Sequence, residues 1–453
     1  MSQTANAPLM ARDNTHLVHS LHNQAVHLSG NLWEHGDGPY IYDAEGRRFV
    51  DGLSGLWNVS LGHGRWELIA AAQRQMSTLA YSSGYSGSSN RPALELGERL
   101  AGMTYPPINR FFFTSGGGES TDSTIKTARY YWKAMGKPSK TKVISLHDAY
   151  HGVTMAAMCA TGLSAYWPMF EPRMPGFRHI PSHNQYRYEA PEGEDPGVAA
   201  ANELETALLE EDPDTVAVFL AEPVQGSGGV HVPPNGYFQR IREICDQYDV
   251  LLAVDEVITG FGRTGTMFGL KHWDVEPDIM QFAKGITSGY IPLGGIGISD
   301  RISEVFDSQD SPMWMHAYTY SGHPVACAVA LAAIEVIESE NLPSRAARSG
   351  LRLRENLTRG LHDHPHVGDI RGIGLMNAVE FVKDRQTKEV FEGSAKMALQ
   401  VIEACRQRGL FTRGRSDAQC NAIYLGPPMI CDDAVIDEIS DIVVAAVCDV
   451  VWH

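Results

Sequence analysis

The stretches LLAVDEVITGFGRTG (residues 251–265) and DIMQFAKGITSGYIPLGG (residues 278–295) place an acidic residue and a lysine at the ends of two apolar runs. Leu251–Val254 is a continuous apolar strand signal that stops on Asp255, and Lys284 follows a second run among small residues and glycines. A lysine amine is a nucleophile only when neutral, and desolvation or neighbouring cations lower its pKa. A carboxylate at a strand end suits a protonated ring nitrogen. Taken singly, Asp255 and Glu256 also fit structural ion pairs and Lys284 a surface position. Together, with a glycine-rich turn upstream, they point to a site that holds an aromatic, phosphorylated cofactor through the lysine.

That upstream turn lies where RFFFTS (110–115) runs into GGGESTDSTIKTARYYWKAMG (116–136). Strand, glycines and helix in this order make an anion site, because the N–H groups of the turn and helix start point outward. Glycines serve plain tight turns as well, so phosphate is one of two readings here. Further strand signals at KVISLHDAYHG (142–152), TVAVFLAEPV (215–224) and LLAVDEV alternate with helical patterns at 201–212 and 236–249. Such alternation predicts an α/β fold with a mostly parallel sheet and helices on both faces. Ligands in such sheets sit beyond the carboxyl ends of strands, which gathers Gly116–Glu119, Tyr150, Glu222 and Asp255 on one edge.

The flanks read differently. A hairpin is expected in PYIYDAEGRRFVDG (39–52), and the glycine-rich SGLWNVSLGHG (54–64) sets Trp57 outside any long helix, as core or as pocket wall. Residues 170–200 read as an exposed excursion. Helices near 344–360 and 394–408, a strand pair in DIRGIGLMNAVEFV (369–382), a strand at GLFTR (409–413) and a helix from Asp432 form an α+β cap. The expected division is 1–75, an N-terminal segment shared with the small domain and the active site; 76–334, the large domain; and 335–453, the C-terminal small domain.

A chain of 453 residues holds more than one core. Its 54 acidic and 37 basic residues give −17, against nucleic acid or an anionic membrane as principal partner. Seven scattered cysteines and no apolar leader or membrane-length run point to reduced thiols in a soluble, cytoplasmic protein. His16, His19, His22 and His27 lack accompanying carboxylates, so no metal is expected.

VDEVITGFGRTG with DIMQFAKGITSGYIPLGG resembles the signature of class III aminotransferases, pyridoxal 5'-phosphate (PLP) enzymes of fold type I. The resemblance extends through AYHG (149–152), AEPVQGSGG (221–229) and YTYSGHP (318–324), most of the chain. Trp57 in SGLWNVSLGHG is similar to the ω-amine:pyruvate branch. The resemblance implies a large domain with a mostly parallel sheet of the seven-stranded type and a smaller α+β domain from the N- and C-terminal segments. It also implies that Lys284 binds PLP covalently and moves a proton between substrate Cα and cofactor C4′. Asp255 would pair with the pyridine nitrogen, Tyr150 and Val257 would flank the ring, and His151 would join the cofactor contacts. Glu222 would support the hydroxyl side. Gly117 and Gly118 would hold the phosphate, joined by Thr319 of a neighbouring subunit, which implies an obligate homodimer or a dimer of dimers.

Two departures from the family pattern stand out. Its phosphate turn usually reads Ser-Gly-Ser-Glu, whereas Gly116-Gly117-Gly118-Glu119 keeps backbone contacts and loses hydroxyls. The branch carries a mobile arginine after a strand near the C-terminus, a clamp for the acceptor's carboxylate. Arg413 stands there, but the segment after it is longer than the pattern, so Arg415 competes. Leu21, Trp57 and Ser227 match substrate-pocket positions, with Leu21 where an aromatic is common, which weakens the grip on aryl amines. The implied activity moves an amino group from a primary amine or ω-amino acid to pyruvate by a ping-pong cycle through pyridoxamine phosphate. The alternatives are a decarboxylating or aminomutase relative and a catalytically silent PLP-binding homologue.

Overall fold

The computed structural model describes residues 7–21, 23 and 31–451. An antiparallel ladder of β1 (Trp33–Asp37), β2 (Tyr40–Asp43) and β3 (Arg48–Asp51) opens the folded part, with the expected hairpin turning between β2 and β3. His16 ends a helix, Ala7–His16, and His19 lies 3.0 Å from Asp13; His22 and His27 fall outside the described residues.

The central sheet has seven strands: β4 (Ile108–Thr114), β5 (Lys142–Leu146), β6 (Phe177–Ile180), β7 (Val216–Ala221), β8 (Leu251–Asp255), β9 (Ile279–Phe282) and β10 (Gly294–Ser299), in the order β4-β10-β9-β8-β7-β5-β6. Pairs from β9 through β6 are parallel, and β10 runs antiparallel to both neighbours. Every residue of β7 and β8 is buried, because the two faces meet different helices. Val218, Leu220, Leu251 and Ala253 pack with Ile125, Ala128 and Trp132 of helix Gly117–Ala134. Phe219, Leu252 and Val254 pack with residues of helices Pro196–Glu211, Tyr237–Gln247 and Pro324–Ser339. Two hydrophobic faces on one strand leave no polar alternation, and the sequence signal is a solid apolar run.

Two findings correct the sequence reading. Residues 170–200 are not only an excursion: Phe177–Ile180 is the edge strand β6, in parallel register with β5. Its four residues, FRHI, are half polar because an edge strand on a curved sheet keeps one side near solvent. The run GGIGIS, without a strand signal, forms β10. A Cβ on Gly295 would stand 2.6 Å from the Phe282 ring and one on Gly297 2.5 Å from Ile108, so only glycine fits between these neighbours.

The third sheet is antiparallel, β11 (Val367–Ile373), β12 (Met376–Phe381), β15 (Asn421–Leu425) and β14 (Arg413–Ser416), with β13 (Leu410–Phe411) pairing parallel to β3 in the N-terminal ladder instead. The N- and C-terminal segments therefore build one smaller domain, in which helices Leu342–Leu361 and Met397–Gln407 both pack on helix Asp433–Val451. Arg263 of the GFGRTG turn joins it to the large domain. Its buried guanidinium donates to the carbonyls of Gly426 (3.1 Å) and Pro427 (2.6 Å) and to the hydroxyls of Ser54 and Ser60. All seven cysteines are unpaired, and no helix among the described residues is long and apolar enough to cross a membrane.

Candidate active site

Five of the parallel and mixed strands deliver a candidate residue just past their carboxyl ends. β4 leads to the glycines, β5 to Tyr150 and His151, β7 to Glu222, β8 ends on Asp255, and β9 is followed by Lys284. Asp255 is 4% exposed; its Oδ2 lies 2.7 Å from His151 Nδ1, and its Oδ1 accepts the Val257 N–H at 3.0 Å. Each carboxylate oxygen thus accepts one bond and has lone-pair capacity left. His151 Nε2 is buried and has no partner among the described residues. The His151 carbonyl accepts from Thr121 Oγ1, itself bonded by Gln281 Nε2 at 2.8 Å, so the loop is pinned to the helix and to β9. Glu256, the alternative ion-pair candidate, takes hydrogen bonds from Tyr105, Thr259 and the N–H groups of Gly269 and Leu270, and forms no ion pair among the described residues.

Glu222 is buried and accepts the N–H of Tyr150 and of Gly226, both at 2.9 Å. Burial raises its pKa to about 7, with Asp255 adding and His151 and the two N–H groups opposing. Lys284 has a positive φ of 46° in a short turn, Lys284–Thr287. Burial lowers the pKa of its amine, although Asp255 and Glu222 pull it upward. Burial thus shifts the lysine toward the neutral amine that a nucleophile needs, and it forms no ion pair among the described residues. Burial and the charges around it push Tyr150 up to about 12, which keeps the phenol neutral.

Helix Gly117–Ala134 starts without a side-chain cap, which leaves its first N–H groups for a ligand. A Cβ on Gly117 would meet both Val257 methyls at 3.3 Å, so Val257 closes the space above the turn. Gly152, at φ +118°, brings the Tyr150–His151 loop against the helix start: a Cβ there would be 2.8 Å from Gly118 Cα. A turn with open N–H groups, the aromatic ring of Tyr150, a buried carboxylate at Asp255 and a buried amine at Lys284 are groups that fit the phosphate, ring, ring nitrogen and aldehyde of pyridoxal phosphate. The turn supplies backbone donors but no hydroxyl from Gly116–Gly118.

Trp57 is buried, with φ 65°, packed 6.4 Å from the Tyr424 ring and filling the space a Cβ on Gly426 would need. Tyr424 donates to the Ser227 carbonyl at 2.9 Å, so Trp57, Tyr424 and Ser227 form one wall. Arg415 is nearly buried: its Nη1 is 2.6 Å from Asp148 Oδ1 and 3.1 Å from the Gly228 carbonyl, its Nε binds Asp417, and its Nη2 binds Gln419. Arg413 is exposed, forms no ion pair among the described residues, and acts electrostatically on Tyr166, whose ring lies 5.6 Å from that of Tyr150. Leu21 is 73% exposed, away from these contacts in the single chain. Thr319 is exposed on the loop before helix Pro324–Ser339, and its carbonyl accepts from Tyr81. Tyr424, Tyr166, Asp148 and Asp417 were not foreseen from the sequence. Tyr424 alone had a signal, as the one hydroxyl in an otherwise apolar strand, AIYL.

Residues 22–447 match the family model for class III aminotransferases. The chain is 39% identical over 404 residues to the putrescine–pyruvate aminotransferase of Pseudomonas aeruginosa, covering 89% of this chain and 87% of that one. It is 37% identical over 435 residues to the diaminobutyrate–2-oxoglutarate transaminase of Halomonas elongata, covering 94% and 91%. The solved (S)-enantioselective omega-transaminase of Thermomicrobium roseum superposes with a TM-score of 0.93 at 45% identity, over 99% of this chain and all of that one.

Proposed function

The chain belongs to the class III aminotransferases, a PLP-dependent family, and from that premise we propose that it moves an amino group from a primary amine or ω-amino acid to pyruvate. Bound beside Lys284, PLP supplies an aldehyde that captures amines and a ring that withdraws electrons once its nitrogen is protonated. Lys284 would hold the cofactor covalently, and its buried amine is the group that would carry a proton to and from the substrate Cα. Asp255, oriented by His151, would pair with the ring nitrogen and favour its protonated form. Tyr150 and Val257 would flank the ring, Glu222 would support its hydroxyl side, and the N–H groups of Gly117 and Gly118 would hold the phosphate.

The observation that carries the pyruvate reading is the contrast between the two arginines. Arg415 already serves two carboxylates, whereas Arg413 has none and stands beside the Tyr166–Tyr150 pair. One free guanidinium suits an acceptor with one carboxylate, and it swings aside for uncharged donors. Arg413 is therefore the clamp and Arg415 is not. Trp57, Ser227 and Leu21 shape the donor side. Thr319 completes the phosphate site of a second copy, making the unit a homodimer or a dimer of dimers in the cytoplasm, and exposed Tyr81, Tyr320, Met313 and Met315 supply apolar surface for that contact.

Incubating the holoenzyme with an amine panel and pyruvate tests the reading. Alanine formed in step with amine lost is the expected result; carbon dioxide release, or amine lost without alanine, would replace it with the decarboxylating or mutase chemistry. A visible chromophore that no amine bleaches would leave only a PLP-binding homologue.

A further inference from the structure

The C-terminal hairpin carries a second guanidinium to the rim of the site and spends it on the protein's own carboxylates. Arg415 extends from β14 to a point one residue from Ser227, at the Gly228 carbonyl, and two residues from Tyr150, at Asp148. Four of its N–H groups are engaged, by Asp148, Gly228, Asp417 and Gln419, and a guanidinium has five. No bidentate face remains for a ligand. Both acidic partners are built in. Asp417 Oδ1 caps its own turn by accepting the N–H groups of Gln419 (2.8 Å) and Cys420 (3.0 Å), which leaves Oδ2 for Arg415. Asp148 sits at φ 64°, a conformation that Asp and Asn tolerate best among residues with a side chain, and this turns its carboxylate toward the hairpin.

We infer that Asp148 and Asp417 are specificity-determining residues: by neutralising Arg415 they restrict the acceptor to a 2-oxo acid with one carboxylate and exclude dicarboxylates such as 2-oxoglutarate. This rests on the pyruvate reading of the same site. A dicarboxylate acceptor needs a second cation for its distal carboxylate, because a buried carboxylate without a partner is costly. Arg413 and Arg415 lie two positions apart on the same strand, project to the same side of it, and would offer two cations if both were free. With Arg415 occupied, a distal carboxylate meets Asp148 and Asp417 and is repelled. The relatives use both kinds of acceptor, pyruvate in one and 2-oxoglutarate in another, so this choice is one the family makes.

The test compares kcat/KM for pyruvate and for 2-oxoglutarate, with one amine donor, in the holoenzyme. Asparagine at 417 keeps the turn-capping oxygen and asparagine at 148 keeps the backbone conformation, so D148N/D417N unmasks the charge with little other change. The ratio of 2-oxoglutarate to pyruvate efficiency is expected to rise roughly 10-fold or more, the size of one charged hydrogen-bonded contact, and to return to the wild-type ratio in D148N/D417N/R415Q. If the double variant does not fold, Asp417→Asn alone carries the comparison. An unchanged ratio, or a rise that survives Arg415→Gln, overturns the latch while leaving the pyruvate reading intact. A wild-type enzyme that uses both acceptors equally also overturns the latch, and one that uses 2-oxoglutarate but not pyruvate overturns the pyruvate reading itself.

Discussion

Asp255, Glu222 and Lys284 stand at or just past the carboxyl ends of interior strands of the central sheet, whereas Arg413 opens an edge strand of the small sheet, and Ser227 and Leu21 come from a four-residue turn and an N-terminal loop. At a strand end the backbone is fixed by ladder hydrogen bonds on both sides, so the side chain that follows has one position. The cofactor side is accordingly buried: Asp255, His151 and Glu222 are all under a tenth exposed. On the substrate side Arg413 and Leu21 are exposed. Buried placement suits chemistry that is the same for every amine, and exposed placement suits the proposed pocket, which takes an uncharged donor and a charged acceptor in turn.

Substitutions on the two sides break this contrast to different degrees. Replacing Lys284 with Ala is expected to abolish turnover and the borohydride-reducible visible band; retained activity would remove the lysine from its role. D255N keeps the shape but no longer holds the ring nitrogen protonated, and kcat should fall roughly 10²- to 10³-fold, the size of a lost preorganised electrostatic contact. R413A acts on the substrate side. The KM for pyruvate should rise roughly 10- to 100-fold, while the half-reaction with an uncharged amine, followed by bleaching of the cofactor band, changes far less. Equal losses in both half-reactions would mean that Arg413 belongs to the cofactor side.

The smallest effect is a slope against pH. Glu222 protonates at about 7 in the folded chain, above its ordinary 4.5, so between these values the folded state binds more protons than the unfolded one. The stability it contributes is complete below 4.5 and is lost as pH rises through about 7. In cofactor-free protein, wild type should lose stability relative to E222Q across that window by up to about 1.4 kcal/mol per pH unit. Thermal melts of the two proteins across the window check the sign, and a flat difference would mean that the two N–H groups and His151 outweigh burial.

The parallel core was legible because strands buried on both faces read as solid apolar runs, and so was the position of Tyr150, Glu222, Asp255 and Lys284 at or just past the ends of such runs. The failures have physical causes. β10 escaped because glycine carries no strand propensity, yet Phe282 and Ile108 leave room for nothing larger. β6 escaped because an edge strand lies in a polar, proline-rich segment whose pairing is long-range. The roles of the two arginines could not be separated, because Arg413 and Arg415 share side-chain type, strand and face. Their difference comes from Asp148, more than 260 residues away and brought to within 2.6 Å of Arg415.

The sequence by itself determined the parallel core of the sheet, the carboxyl edge on which candidate residues gather and the cofactor class, since these depend on local patterns and on residue types with few substitutes. Only the tertiary structure decided which arginine is free, which histidine orients Asp255, and which tyrosine joins Trp57 to Ser227. Those are contacts between segments far apart in the chain, and charge neutralisation and hydrogen bonding depend on distance in space, which no local pattern encodes.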